Sequence, residues 1–300
     1  MLKFCLFIFI VISSYGADIS PIPQKIEYDY QKAILGKKLF FDTRLSMDNT
    51  VSCATCHDLL NGGDDGLEVS FGIKGLKGTV NAPTVLNSVF NFRQFWDGRA
   101  KNLQEQALGP IENPVEMGHN LKILVEKLKD TEYKDQFNSI YKNGITKENL
   151  VDAIAEFEKT LITPNSRFDK YLLGDKNAIT PYEKEGYELF KNKGCIACHH
   201  GVNVGANHYN KFGAFSPVSS KNLGRYEITK DDEDKYYFKV PSLRNIQLTA
   251  PYFHDGREYD LDKAVELMAA VQLGRPITED EVKKIVAFLK TLTGQLKVIK

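Results

Sequence analysis

Hydrophobic residues recur at helical spacing in the middle of the chain, behind a residue that can start a helix. Thr146 has the side chain of an N-cap, and Pro164 lies just beyond the end of the pattern. The apolar positions are Leu150, Ile154, Phe157 and Leu161. The pattern predicts a helix that buries this stripe in a core and ends before Pro164.

Two further helices are predicted in the second half of the chain from their first turns. The stretch Thr180-Pro181-Tyr182-Glu183 offers an N-cap, a proline at the first helical position and a glutamate at the third. A helix should therefore run to about Lys193. Thr278 and Glu281 form a capping box ahead of another apolar stripe. Its members are Val282, Ile285, Val286, Leu289 and Leu292. The chain is expected to be mainly α, with long loops.

The length of the chain favours two domains. It has 300 residues, and typical domains have about 100 to 200. The segment between Thr163 and Asn177 is predicted to be a linker, which places the domains at 18–164 and 165–300, with the last helix able to pack across both. A hydrophobic content of 42%, a charged content of 26% and a net charge of +0 are ordinary for a globular chain. This charge does not indicate a nucleic-acid partner or a polybasic membrane patch.

Residues 1–17 have the form of a secretory signal peptide. Lys3 precedes an apolar run from Phe4 to Ile12, small residues follow, and cleavage is expected after Gly16 or Ala17. The run is too short to span a bilayer. A buried strand or an anchor is the alternative, but no second apolar run follows to support it. The mature chain is therefore expected to be exported.

The cysteines outside this signal form two C-x-x-C-H units. The first is Cys53-Ala-Thr-Cys56-His57, and the second is Cys195-Ile-Ala-Cys198-His199. Two cysteines at this spacing also suit a disulfide, a redox pair or half of a zinc site. The histidine that follows each pair favours attachment of haem c, in which two thioethers hold the ring and the histidine binds iron. The chain is thus predicted to carry two covalently bound haems, with His57 and His199 as iron ligands.

The halves of the chain resemble each other beyond these units. The stretch Ala82-Pro-Thr-Val-Leu-Asn87 is similar to Val240-Pro-Ser-Leu-Arg-Asn245. Phe95-Trp-Asp-Gly-Arg99 is similar to Phe253-His-Asp-Gly-Arg257, at the same distance from the preceding block. The pattern indicates two copies of one haem-binding unit.

The second iron ligands are less certain from the residues alone. Met268 follows His199 by 69 positions and is the candidate on the far face of the second haem, where a thioether ligand would raise the reduction potential. The repeat places Val115-Glu116-Met117 over the first haem. If Met117 binds iron, the protein is an electron carrier. If Glu116 faces an open iron, the site can bind peroxide and perform acid–base chemistry.

Taken together, these stretches resemble the bacterial dihaem cytochrome c peroxidases over nearly the whole mature chain. The stretches are SCATCH, NAPTVLN, QFWDGRA, EQALGP, NPVEMG, CIACH, TAPYFHDG and MAAVQLG. The resemblance implies two cytochrome c-like domains and reduction of hydrogen peroxide to water. It also implies a periplasmic location, small c-type cytochromes as electron donors, a homodimer, and calcium between the haem domains.

The resemblance also assigns roles to individual residues. Cys53, Cys56 and His57 would hold the peroxidatic haem. The electron-accepting haem would be held by Cys195, Cys198, His199 and Met268. Glu116 matches the distal catalytic carboxylate of the family, Gln106 the amide beside it, and Trp96 the tryptophan between the haems. Asn81, with the carbonyl groups of Thr249 and Pro251, matches the calcium site.

One position departs from the family pattern. Many members have a Gly-His pair in the loop after the first haem motif, and its histidine blocks the iron until the other haem is reduced. The corresponding pair here is Gly72-Ile73, and an isoleucine cannot bind iron. The first haem is therefore predicted to be open in the oxidised protein, with Lys74 and His119 as weaker candidates for a blocking ligand.

Three alternative functions remain open from the sequence. The first is a dihaem electron-transfer cytochrome. The second is an enzyme that oxidises a protein or organic substrate through a high-valent haem pair, but such relatives are expected to have Tyr in place of Met268. The third is a family member without peroxidase activity, because loss of a switch residue can accompany loss of the activity it regulated.

Overall fold

A computed structural model describes residues 18–299, so the predicted signal peptide lies outside the described residues. The fold is mainly helical, with a single small antiparallel sheet in this part of the chain. The α-helices are Tyr30–Phe40 (α1), Cys53–Cys56 (α2), Leu103–Glu112 (α3), Leu121–Lys129 (α4), Tyr133–Ile140 (α5), Lys147–Lys159 (α6), Arg167–Leu172 (α7), Pro181–Asn192 (α8), Tyr226–Thr229 (α9), Leu261–Met268 (α10) and Glu279–Lys290 (α11). The strands are Tyr209–Lys211 (β1) and Tyr237–Lys239 (β2). Within the described residues, no helix is long and apolar enough to cross a membrane.

The three helices predicted from their caps are confirmed. Thr146, Thr180 and Thr278 each accept a hydrogen bond from the backbone N–H three residues later. The side chain of Glu183 completes the second cap and that of Glu281 the third. Each cap satisfies N–H groups that have no partner inside the helix, which explains why the sequence located these starts correctly.

The same helix crossing is built in both halves of the chain. Helix α1 packs on α6 at Gly36, where an added Cβ atom would lie 1.8 Å from the carbonyl oxygen of Ala153. Helix α8 packs on α11 at Gly186, where the corresponding distance to the carbonyl oxygen of Lys284 is 1.9 Å. Only glycine allows backbones to approach this closely. The predicted internal repeat is therefore also a repeat of tertiary structure.

The loops between these helices repeat as well. Asn87 and Asn245 both have a left-handed backbone, with φ of 60° and 61°, and both precede a short 3-10 turn. Phe95 and Phe253 also have positive φ values, 68° and 72°. Both asparagines are hydrogen-bonded to the side chain of Thr163, which ties the two copies together at the centre of the molecule.

The segment between Thr163 and Asn177, predicted as the linker, is ordered and helical in part. This segment contains α7, and its Phe168 and Asp169 are completely buried. The Asp169 carboxylate forms a 2.7 Å ion pair with Arg244, and neither side chain is exposed. A six-residue helix is too short to produce a hydrophobic period, so the pattern along the chain did not indicate it.

Each end of the described chain packs against the opposite half of the molecule. Ile19 belongs to the hydrophobic core of the second half, and the carbonyl oxygen of Ser20 accepts a hydrogen bond from Arg244. At the other end, Leu296 and Val298 pack against the core cluster beside Cys53 in the first half. Helix α11 itself packs on α8. The residues after α11 therefore add to the contacts between the two halves.

Candidate functional site

The first C-x-x-C-H unit begins with the short helix α2. Ser52 caps this helix through a capping box with Thr55, which presents Cys53 and Cys56 on one turn. The Nδ1 atom of His57 donates a hydrogen bond of 3.1 Å to the carbonyl oxygen of Gly63. Burial lowers the pKa of His57, so the neutral ring is favoured. With the proton on Nδ1, the Nε2 atom has a free lone pair for iron.

The second unit has the same chemistry in a different local structure. Gly194 has a positive φ of 99° and turns the chain out of α8 into the 3-10 turn that contains Cys195. The Nδ1 atom of His199 faces the carbonyl oxygen of Val204 at 3.4 Å. Burial lowers the pKa of His199 to about 4. Both histidines are thus neutral and oriented by a backbone carbonyl group, as iron ligands require.

The four cysteines of these units are half-buried, and none of them forms a disulfide. Burial raises the pKa of Cys53 to about 12 and that of Cys195 to about 11. Zinc binds the thiolate form of cysteine, and the raised pKa values of Cys53 and Cys195 disfavour that form. A thioether bond to haem removes the ionisable S–H group, so these apolar surroundings fit a covalently attached ring.

A large, mostly apolar cavity opens beside the second unit. Met268, at the end of α10, lines this cavity together with Cys195, Cys198 and His199. The structure thus brings the four predicted ligands of the second haem to one cavity. After Met268 the helix widens into a π-helical turn, Ala269–Leu273. Such turns are rare and often lie at functional sites.

Glu116 is packed against the loop that follows the first unit, where its carbonyl oxygen accepts a hydrogen bond from the backbone of Ile73. Burial is the main cause that raises the pKa of the Cys53 and Cys56 thiols, and the negative charge of Glu116 adds to both increases. The side-chain amide of Asn113 donates a 2.6 Å hydrogen bond to Glu116 Oε1. Burial raises the pKa of Glu116, while the Asn113 hydrogen bond and the charge of Arg99 act to lower it. A half-buried carboxyl group with a raised pKa is suited to accept and return a proton.

Met117 has a different environment. Its side chain is 4% exposed and belongs to the same hydrophobic core cluster as Ile73 and Leu121. Its carbonyl oxygen accepts a hydrogen bond from the backbone of Met47. In the described residues, then, the charge of Glu116 acts on the thiols of the first haem site, and the adjacent methionine packs in the core.

Gln106 and Trp96 have different surroundings in the structure. Gln106 lies on α3, and its side-chain amide has no hydrogen bond with any of residues 18–299. It is free to bind a ligand. Trp96 lines the second cavity and donates a 2.9 Å hydrogen bond from Nε1 to the carbonyl oxygen of Asn81. The indole ring also contacts His254 edge to face, with 6.3 Å between the ring centroids.

The three predicted calcium ligands lie at the edge of the same cavity. Asn81, Thr249 and Pro251 all line it. The Asn81 amide donates to the carbonyl oxygen of Leu67, and none of the described groups donates to its Oδ1 atom. Among residues 18–299, no group of three or more His, Cys, Asp or Glu side chains is placed to hold a metal ion. Any cation here would depend on amide and carbonyl oxygens.

Asp64 also lines this cavity and was missed from the sequence. Its carboxylate is buried, and neither oxygen has a hydrogen-bond partner in the described part of the chain. Burial raises the pKa of Asp64 to about 7. The sequence shows Asp64 only as an acidic residue in the glycine-rich turn after the first haem motif. Acidic residues in such turns usually face water, so the sequence did not indicate that this one is buried.

Ile73 does not point towards an open site. Its side chain is 2% exposed and packs in the first core, and its backbone N–H donates to the carbonyl oxygen of Glu116. Lys74 is exposed. His119 is buried, with Nδ1 facing the carbonyl oxygen of Asn120 at 3.1 Å. The loop is thus packed against the Glu116 segment.

Together, the two C-x-x-C-H units define a protein with two covalent haem c sites. Residues 30–177 match the family model described as di-haem cytochrome c peroxidase, and residues 183–293 match the cytochrome c model. The chain belongs to the di-haem cytochrome c peroxidase family, whose members are oxidoreductases that act on peroxide.

Named relatives cover most of the chain. It is 50% identical over 280 residues to the cytochrome c551 peroxidase of Nitrosomonas europaea, with 92% of this chain and 84% of that protein covered. It is 44% identical to the cytochrome c551 peroxidase of Pseudomonas aeruginosa, with 93% and 85% covered. It is also 50% identical to the cytochrome c peroxidase Ccp of Escherichia coli, but it spans only 61% of that protein.

Solved structures share the fold. A MauG-like protein associated with microbial copper homeostasis has a TM-score of 0.80 at 27% identity, with 96% of each chain covered. The diheme peroxidase BthA from Burkholderia thailandensis has a TM-score of 0.78 at 23% identity, with 94% of this chain and 92% of that chain covered. The expected architecture of two cytochrome c-like domains is confirmed.

Proposed function

We propose that the protein reduces hydrogen peroxide to water at the first haem, with electrons from a small c-type cytochrome that enter at the second. One observation carries this proposal: Glu116 is packed against the loop after the first haem motif, where its carbonyl oxygen accepts a 2.8 Å hydrogen bond from Ile73, whereas the side chain of Met117 is buried in the core. A distal carboxylate serves proton transfer, and a distal thioether would close the iron to peroxide.

The haems, when bound, supply two redox-active irons, and the protein supplies their ligands and the protons. His57 holds the first ring, and His199 with Met268 holds the second. Reduction of one peroxide to two waters consumes two electrons and two protons. Glu116 accepts a proton from one oxygen of the substrate and returns it to the other, so that water leaves rather than hydroxide. Gln106, whose amide is free, orients the substrate.

Trp96 is proposed to lie on the electron path from the second site to the first. Its ring faces the second cavity, and its Nε1 hydrogen bond to Asn81 restrains the ring. A large aromatic ring held between two redox centres shortens the distance that an electron must cross. The second proposed role of this segment is mechanical, because the Trp96 carbonyl oxygen accepts a 2.8 Å hydrogen bond from the backbone of β2.

The first haem is proposed to be open to peroxide without prior reduction. Ile73 replaces the expected blocking histidine, and its side chain is part of the core. The electron paramagnetic resonance spectrum of the fully oxidised protein should contain a high-spin haem signal. Two low-spin haems with no high-spin signal would exclude an open first site.

Calcium is proposed to bind where Asn81, Thr249 and Pro251 meet. Calcium takes six or more oxygen ligands, and these three supply neutral oxygens only. The buried, unpartnered carboxylate of Asp64 faces the same cavity and fits a nearby cation. The loop after His57 runs along this segment, since a Cβ atom on Gly62 would lie 2.7 Å from the Leu248 carbonyl oxygen. Water would complete the coordination.

Location and assembly are also proposals. The signal-like N-terminus supports export to the periplasm, where small cytochromes are available as donors. N-terminal sequencing of the purified mature protein should begin after Gly16 or Ala17. The family resemblance implies a homodimer, and sedimentation velocity with and without calcium would measure it.

A steady-state assay tests the enzymatic function directly. The oxidised protein, without pre-reduction, is mixed with reduced cytochrome c and peroxide. We expect immediate turnover, and Glu116→Gln should lower kcat by about 10²-fold or more while both haems stay attached. Turnover that is absent in the wild type, or unchanged in the variant, would contradict the proposal. Glu112→Gln serves as the matched control, because Glu112 is an exposed glutamate at the end of α3, four residues before Glu116.

A further inference from the structure

Lys239 is a buried lysine with no partner. It is the last residue of β2, it is 5% exposed, and it lines the cavity of the second haem site. Its ammonium group has no hydrogen bond, ion pair or ring contact with any of residues 18–299. Burial alone lowers the pKa of Lys239 to about 8, with no nearby charge acting against it. The sequence did not single out this residue.

The other cations around the cavity are already paired or exposed. Lys193 forms an ion pair with Glu281, and Arg275 donates to the carbonyl oxygen of Asn192. Lys211 is exposed to solvent. The only acidic residue in the lining is Asp64, and it does not raise the pKa of Lys239, so it is too distant to compensate the charge. Among the cations that line this cavity in residues 18–299, Lys239 is therefore the buried one without an anion.

An uncompensated buried ammonium costs several kcal/mol, so a cavity built around one is expected to receive an anion. The occupant of this cavity is the haem attached at Cys195 and Cys198. Haem c has two ionised groups at its edge, the propionate carboxylates, on the side of the ring opposite to the thioether bonds. Lys193 and Arg275 lie near the Cys195 thiol and so belong to the thioether side. The unpaired Lys239 is left for the propionate side.

We propose that the Lys239 ammonium binds a propionate of the second haem and acts as a positioning residue for that ring. The inference rests on the second haem site proposed above. A direct backbone connection extends it: the N–H of Lys239 donates to the carbonyl oxygen of Trp96 at 2.8 Å. The residue that holds the propionate thereby also holds the backbone of Trp96. The propionate edge of the second haem is fixed relative to the tryptophan on the proposed electron path.

The positive charge has an electrostatic consequence. A ferric haem carries one more positive charge than a ferrous haem, so a nearby ammonium disfavours the oxidised form and raises the reduction potential. Lys239 thus acts in the same direction as the Met268 thioether. Both make the second haem the better electron acceptor.

The test is a redox titration of the holoprotein with three variants. Lys239→Met should lower the potential of the second haem by about 59 mV, a tenfold change in a one-electron equilibrium, and Lys239→Arg should restore most of it. Lys211→Met is the matched control, because it removes the same charge from the exposed rim of the same cavity, and it should leave the potential nearly unchanged. An unchanged potential in Lys239→Met, or equal shifts in both methionine variants, would overturn the inference.

Resonance Raman spectroscopy of the wild type provides a measurement that does not depend on variant folding. The propionate bending band of the second haem should shift in D₂O, because the ammonium protons exchange, and a band without any shift would overturn the inference. The number of haems per chain distinguishes a wrong role for Lys239 from a wrong assignment of the second haem site. The double variant Cys195→Ser/Cys198→Ser should lose one of two haems, and retention of both would instead reject the site on which the inference rests.

Discussion

The side-chain amide of Asn113 donates a 2.6 Å hydrogen bond to Glu116 Oε1 across one turn of the loop that follows α3. This bond stabilises the carboxylate form, whereas burial stabilises the neutral form. The two effects oppose each other at the residue that we propose to move protons. The pH range of activity should therefore depend on Asn113, a residue that does not need to touch the substrate.

Asn113→Ala should move the acidic limb of the pH–rate profile to higher pH. The pKa of Glu116 is already above its usual value, and loss of the Asn113 donor removes an influence that lowers it. The carboxylate, which accepts the proton, then forms only at higher pH. The measurement is kcat/KM against pH with reduced cytochrome c in excess. Asn120→Ala, which removes a helix cap outside the site, controls for general loss of stability, and a profile that shifts equally in both variants would contradict the role of Asn113.

Glu158→Gln should stabilise the protein at neutral and alkaline pH. Glu158 is buried beside Cys53, its Oε2 atom has no partner among the described residues, and burial raises its pKa to about 8. A carboxyl group with a raised pKa binds its proton more tightly in the folded state, so stability is lost as pH rises from about 4.5 to about 8. At pH 7 the variant should gain up to about 3 kcal/mol. Thermal unfolding of the holoprotein at pH 5 and pH 8 measures this, and equal pH dependence in wild type and variant would refute it.

Asp64→Asn should weaken calcium binding. If Asp64 faces the cation, removing its charge lowers the affinity, and the neutral oxygens of Asn81, Thr249 and Pro251 remain. Removal of calcium with a chelator should lower the Tm of the wild type, and added calcium should restore that Tm. The variant should need a higher calcium concentration than the wild type for the same recovery. Asp65→Asn, the next residue in the chain, is the control. A wild type whose Tm ignores both chelator and calcium would rule out the site.

Asp169→Ala should destabilise the protein by about 3 to 5 kcal/mol, because it leaves the buried Arg244 guanidinium without its counter-ion. The exposed ion pair between Glu279 and Lys283 offers the comparison. Glu279→Ala should change the free energy of unfolding by less than about 1 kcal/mol, since exposed pairs contribute little. Denaturant unfolding of both variants gives the two values, and similar losses would show that the Arg244 pair is not special.

Local sequence signals predicted much of the fold. The helix starts at Thr146, Thr180 and Thr278 are confirmed because a cap needs only four neighbouring residues. The repeat is confirmed because turns such as those at Asn87 and Asn245 depend on backbone angles that few residues adopt. Helix α7 was missed for the converse reason: its position depends on Arg244, 75 residues after Asp169.

By itself the sequence determined that two haems are expected, that His57 and His199 face them, and that the two halves repeat. Attachment needs two thiols and a histidine on one short stretch, so its signal lies within five consecutive residues. Only the tertiary structure shows that Met117 is buried in the core and that Glu116 is not, because these adjacent side chains differ in which distant elements they meet. It alone put Asp64 and Lys239 at one cavity without partners. Burial without a partner is a property of the packed chain, since it is created only when residues far apart in sequence exclude water together.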